Sequence, residues 1–79
     1  MDRVELNNLF DLYESLLTPR EKEIFHLLAK NYSTKDIARK LNISEKTVRN
    51  HISNVIQKLG VKSRIQAVFE LIRLKELQL

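Results

Sequence analysis

The sequence contains no cysteine, and among its 79 residues there is one glycine and one proline. Without cysteine there is neither a disulfide nor a thiolate metal site, so packing alone must hold the fold; this composition fits a reducing cytoplasm. The scarcity of glycine and proline, with 43% hydrophobic and 30% charged residues, excludes a low-complexity tail and points to a compact helical domain. The start, Met1-Asp2-Arg3-Val4-Glu5, lacks the basic opening and apolar run of a signal peptide, and no later stretch is long and apolar enough to span a bilayer. Strand alternation, internal repeats and glycine-rich phosphate loops are missing as well. The two histidines, His26 and His51, have no cysteine or close carboxylate pair at a metal-like spacing, and no serine sits in a nucleophile motif. The reading is therefore of a protein that is not an enzyme and holds no metal and no cofactor.

A chain this short buries only about 60% of the surface its unfolded form exposes, which leaves room for one domain with an economical core. Its formal net charge of +4 is unevenly spread. Residues 1–32 carry four basic and six acidic side chains, whereas residues 44–64 carry five basic and one acidic. A basic stripe between neutral or acidic flanks suits a polyanion lying across one part of the surface, although a solvated charged face has the same charge count.

Capping residues divide the chain into helices. Val4, Leu6, Leu9, Phe10, Tyr13, Leu16 and Leu17 recur at three- and four-residue intervals, which predicts an amphipathic helix over residues 2–15, with an acidic outer face. Thr18-Pro19-Arg20-Glu21 then reads as a helix start: Thr18 caps, Pro19 suits the first helical position, and Glu21 closes a capping box. Ile24, Leu27 and Leu28 form the expected buried stripe. Ser33 caps a short helix with Asp36 at the reciprocal position, and Ile37, Ala38 and Leu41 face inward. Asn42-Ile43-Ser44 makes a tight turn in which Asn42 tolerates a left-handed backbone and Ile43 plugs the core. Ser44 caps a helix running to about Leu59, where Gly60 is placed to end it. Ser63 caps a last helix, with Gln66 completing another capping box. Two capped helices separated by a short turn, the second longer and more basic, have the pattern of a helix-turn-helix.

On a helical wheel over residues 45–59, Val48, Ile52, Val55, Ile56 and Leu59 share the inward arc. Opposite them lie Lys46, Arg49, Asn50, Ser53 and Gln57, a row of donors and acceptors without a carboxylate. Arginine pairs with guanine, asparagine with adenine, and serine with several bases, so this row has the chemistry of a reader of base edges. Thr47, His51, Asn54 and Lys58 lie on one flank, within reach of phosphate oxygens, and the helix start offers N–H groups to a phosphate.

These residues carry a resemblance. Leu17-Thr18-Pro19-Arg20-Glu21, Thr34-Lys35-Asp36-Ile37-Ala38, Ser44-Glu45-Lys46-Thr47-Val48-Arg49-Asn50-His51 and Lys58-Leu59-Gly60-Val61-Lys62-Ser63-Arg64 follow one another as in the LuxR-type helix-turn-helix family, which the sequence resembles over residues 16–79. Within that family it is most similar to standalone regulators of sporulation genes. The resemblance implies an all-α fold, a compact four-helix helix-turn-helix domain at residues 16–79, to which the helix at residues 1–15 is an addition. It implies a transcription regulator bound to double-stranded DNA as a homodimer, with RNA polymerase as a further candidate partner. It places base reading at Arg49, Asn50 and Ser53, and phosphate contact at Lys46, Thr47, Lys58 and Arg64. Many relatives carry a receiver or ligand-binding domain before this module; only about fifteen residues precede it here, so control by phosphorylation or a small inducer within this chain is not expected.

The last helix suggests the dimer. Between Ile65 and Leu74 only Gln66, Glu70 and Arg73 are polar, and they cluster on the wheel. Ala67, Val68 and Leu71 would pack inward, leaving Ile65, Phe69 and Ile72 to meet their symmetry mates, unless the helix at residues 2–15 covers them. Two other functions use the same fold: a protein-binding adaptor, which has no need of the carboxylate-free row, and a sigma-like promoter reader, which would require a further polymerase-binding region.

Overall fold

The protein is described by a computed structural model over residues 17–74. The expected helix at residues 2–15, and the boundary proposed after it, lie outside the described residues. Within them are four helices and no strand: α1 (Pro19–Ala29), α2 (Thr34–Leu41), α3 (Glu45–Leu59) and α4 (Arg64–Arg73).

Each helix begins where a side-chain oxygen takes an otherwise unpaired backbone N–H. At α1 the exchange is reciprocal: the Glu21 N–H donates to Thr18 Oγ1 at 3.1 Å, and the Thr18 N–H donates to Glu21 Oε1 at 2.8 Å. Ser33 accepts from the Asp36 N–H at 3.1 Å and Ser44 from the Thr47 N–H at 3.0 Å. Ser63 caps α4 through the Gln66 N–H at 3.2 Å, but the expected capping box closes one residue earlier. Gln66 Oε1 accepts instead from the Lys62 N–H at 2.9 Å, one residue before the cap.

The helix ends are equally local. Asn42 adopts φ 58°, and the following Ile43 N–H bonds back to the Ala38 carbonyl at 3.0 Å, so the chain reverses between α2 and α3 in three residues. Gly60, at φ 67°, ends α3 with its N–H on the Gln57 carbonyl at 3.2 Å. A third left-handed residue, Asn31 at φ 71°, turns the chain after α1.

α1 lies against all three other helices, and α3 packs on α1, α2 and α4. The core consists of Leu17, Ile24, Phe25, Leu27, Ile37, Ala38, Val48, Ile52, Val55, Ala67 and Leu71. Phe25 is fully buried although it stands outside the stripe expected for α1, and Leu28 is only half-buried. A helix covered from three directions buries a wider arc than a helix lying on one surface, and Phe25 fills the added sector. Leu41 and Ile43 pack against the core as half-buried side chains.

Candidate nucleic-acid interface

Val48, Ile52 and Val55 turn the inner face of α3 into the core and thereby fix which side chains point out. Lys46, Arg49, Asn50, Ser53 and Gln57 are all exposed, together with Asn54 and Lys58, while Thr47 and His51 are half-buried. The packed pair α2 and α3, joined by the Asn42 turn, presents this row along one side of the domain. Lys35, Arg39 and Lys40 of α2 are exposed and add positive charge; the Lys40 ammonium lies 5.8 Å from the centre of the Tyr32 ring, within cation–π range.

Three expected contact residues have partners inside the chain. The Arg49 guanidinium donates to Glu45 Oε2 at 3.3 Å, so a carboxylate from the preceding turn attends the row that contains none of its own. Both groups are exposed, and pairs of this kind contribute about 0.3–0.5 kcal/mol, little enough for a base edge to displace. Thr47 Oγ1 lies 2.8 Å from Ser44 Oγ at the start of α3, where the helix dipole favours an anion. Lys58 Nζ donates to Glu21 Oε1 at 2.6 Å. Asn50 and Ser53 stand exposed beside Arg49, and Arg64 is exposed at the first position of α4.

The Lys58 partner was not legible from the motif. Glu21 reads as a capping residue, and it is one, but its side chain is 3% exposed and faces the last turn of α3 as well as Thr18. Burial pushes the Glu21 carboxyl up, yet the hydrogen bonds from Lys58 and Thr18 and the charge of the lysine outweigh it, so its pKa lies below the ordinary glutamate value. A glutamate at the third helical position is usually left to solvent; the only sequence hint was an acid on α1 and a base on α3 standing next to apolar core positions.

On α4, Ala67 and Leu71 are buried and Val68 half-buried, while Ile65 and Phe69 are 65% and 67% exposed. Ile72 is half-buried and packs against the core, so of the three residues expected on the outer face it is the one shared with the interior. Ile65 and Phe69 line an open depression with Leu28, Ala29 and Tyr32, of about 450 Å³. Among the described residues no His, Cys, Asp or Glu cluster could hold a metal ion, and no helix is long and apolar enough to cross a membrane.

Comparison with known proteins agrees with this architecture. The pattern of the family "Bacterial regulatory proteins, luxR family" matches residues 15–71. The spore germination protein GerE of Bacillus subtilis (strain 168) is 66% identical over 64 residues, which span 81% of this chain and 86% of that protein. The transcriptional regulatory protein DegU of Brevibacillus brevis is 50% identical over 58 residues, 73% of this chain but 25% of DegU, so the likeness there is to one part of a longer protein. A solved structure of the transcription factor GerE superposes with a TM-score of 0.78 at 70% identity, covering 80% of this chain and 94% of that one.

Proposed function

Because the chain belongs to the LuxR family of bacterial regulatory proteins, a family of DNA-binding helix-turn-helix transcription regulators, we propose that α3 enters the major groove and that Arg49, Asn50 and Ser53 read bases there. The observation that carries this reading is the exposed row on α3: its donors and acceptors stand side by side on the face opposite Val48, Ile52 and Val55, and its arginine is held only by a weak surface pair. In this reading Lys46 and Arg64, exposed at the starts of α3 and α4, meet phosphates, and so does Thr47, whose hydroxyl is hydrogen-bonded to that of Ser44.

Two copies would pair through Ile65 and Phe69 and so address two half-sites. The protein acts in the cytoplasm, on DNA, without cofactor or catalysis. The likeness to the spore germination protein GerE supports a spore-related setting, and the regulated genes would be of that kind.

The test is selection of bound duplexes from a random-sequence pool, followed by mobility shifts with a selected and a scrambled duplex at low and moderate salt. A preference of about a thousandfold or more for the selected duplex is expected of a specific regulator. Equal binding to both duplexes, or none at moderate salt, would instead favour the protein-binding adaptor.

A further inference from the structure

The short contact between Lys58 and Glu21 bears on what the far end of the recognition helix does. Lys58 belongs to the last turn of α3 and Glu21 to the first turn of α1, 37 residues earlier. Building on the reading that α3 lies in the groove, we infer that Glu21 holds the Lys58 ammonium out of the DNA interface, and that the pair anchors the C-terminal end of α3 to α1, making Lys58 a positioning residue and not a phosphate contact.

The argument rests on the burial of the acid. Glu21 is 2% exposed, and its Oε1 accepts from the Thr18 N–H at 2.8 Å and from Lys58 Nζ at 2.6 Å. A buried carboxylate is tolerated only with hydrogen bonds and an opposite charge. If Lys58 swung out to a phosphate, Glu21 would keep the Thr18 bonds and lose its cation. The gain at the other end would be one contact to a hydrated, salt-screened phosphate oxygen. The exchange is uphill, so the lysine stays. Lys46 stands differently: no acid is paired with it among the described residues, and it is exposed at the opposite end of the same helix.

The anchor also bears on specificity. Val48, Ile52 and Val55 bury the middle of α3 but leave its tilt to whatever holds its ends. The Asn42 turn fixes the first end; at the second, the Glu21–Lys58 pair adds a directional tie to α1 beside the partly buried packing of Ile56 and Leu59. Recognition geometry must be held to within about 0.5 Å for base contacts to form together. Removing the pair should therefore lower discrimination between sequences while leaving the number of neutralised phosphates unchanged.

Lys58→Met, Lys58→Arg, Glu21→Gln, the double variant Glu21→Gln/Lys58→Met and the control Lys46→Met would be compared with the parent, each at a temperature where circular dichroism shows it folded. The readouts are affinity for a selected and a scrambled duplex over a range of salt. Lys46→Met should flatten the plot of log affinity against log salt by about 0.9, the loss of one phosphate contact, whereas Lys58→Met should leave that slope unchanged. Lys58→Met and Glu21→Gln should each reduce the selected-to-scrambled ratio by about tenfold, the double variant no further, and Lys58→Arg should restore it, because its guanidinium can still serve the buried carboxylate. A slope that falls by about 0.9 in Lys58→Met, with equal weakening on both duplexes and no coupling to Glu21→Gln, would overturn the inference. A parent that does not distinguish the duplexes would instead overturn the reading on which it rests.

Discussion

Replacing Phe69 by Asp should convert the proposed dimer into a folded monomer. The Phe69 side chain is 67% exposed, and a phenylalanine buries about 150–250 Å² when fully covered, so about 100–170 Å² of its surface is open to a partner. At about 25 cal/mol per Å² that surface contributes about 2.5–4 kcal/mol from each protomer, or about 5–8 kcal/mol across a two-fold axis. Ile65, exposed to a similar degree, adds about 1–2 kcal/mol per protomer. The gross gain of about 7–12 kcal/mol is met by an association cost of about 4–15 kcal/mol, so the parent should self-associate in the micromolar range at best. Loss of the phenylalanine contribution alone removes most of that gain, and two aspartates facing each other across the axis add repulsion. Because Phe69 contributes little to the core, the thermal midpoint should hardly move. Sedimentation over a concentration series checks the assembly, and mobility shifts should show much weaker operator binding once two half-sites are no longer held together. A parent that stays monomeric at the highest concentration would refute the reasoning, as would a Phe69→Asp variant that unfolds.

Arg49→Ala and Asn50→Ala should each cost about 1–3 kcal/mol at the selected duplex and hardly change binding to scrambled DNA; full retention of discrimination in both, measured by titration, would remove them from the base-reading set. Gly60→Ala meets no atom within 4 Å of the added carbon, so it should cost only the strain of a left-handed alanine, about 1–2 kcal/mol, read as a lowered unfolding midpoint in urea. Since the folded-state pKa of Glu21 is depressed, the stabilisation from its ion pair is present above the unfolded value of about 4.3 and is lost as pH falls through the lower folded value. The difference in thermal midpoint between the parent and Glu21→Gln should accordingly close on acidification, and a difference independent of pH would show that the ionised carboxylate is not what stabilises the fold.

Much of this protein is local, and what is local was legible. Thr18, Ser33, Ser44 and Ser63 stand at the four helix starts because each needs only a hydroxyl within reach of an N–H three residues on. Asn42 and Gly60 end their helices because a left-handed backbone admits few residue types. The division of α3 into a buried and an exposed face follows from a spacing of three and four residues. The Arg49 pair with Glu45 was also within this reach, being one turn long, but a wheel that sorts residues into rows separates Glu45 from the row it serves.

Other features depended on which helices meet. Phe25 is buried because α1 is enclosed by three neighbours, a fact that no periodicity within eleven residues contains. The exposure of Phe69 against the partial burial of Ile72 depends on how far α4 rolls onto α1 and α3. Glu21 and Lys58 each look like a residue of their own helix, one a cap and the other a flank cation, until the crossing of α1 and α3 brings the two charges together. By itself, then, the sequence determined where the four described helices begin, where α2 and α3 end, and which face of α3 is apolar and which carries the polar row, since hydrogen-bond reach and helical period act over one turn. Only the tertiary structure decided which charges face outward for a ligand and which are consumed within the fold, because a buried carboxylate takes its cation from whatever element lies against it, and that distance in space bears no relation to distance along the chain.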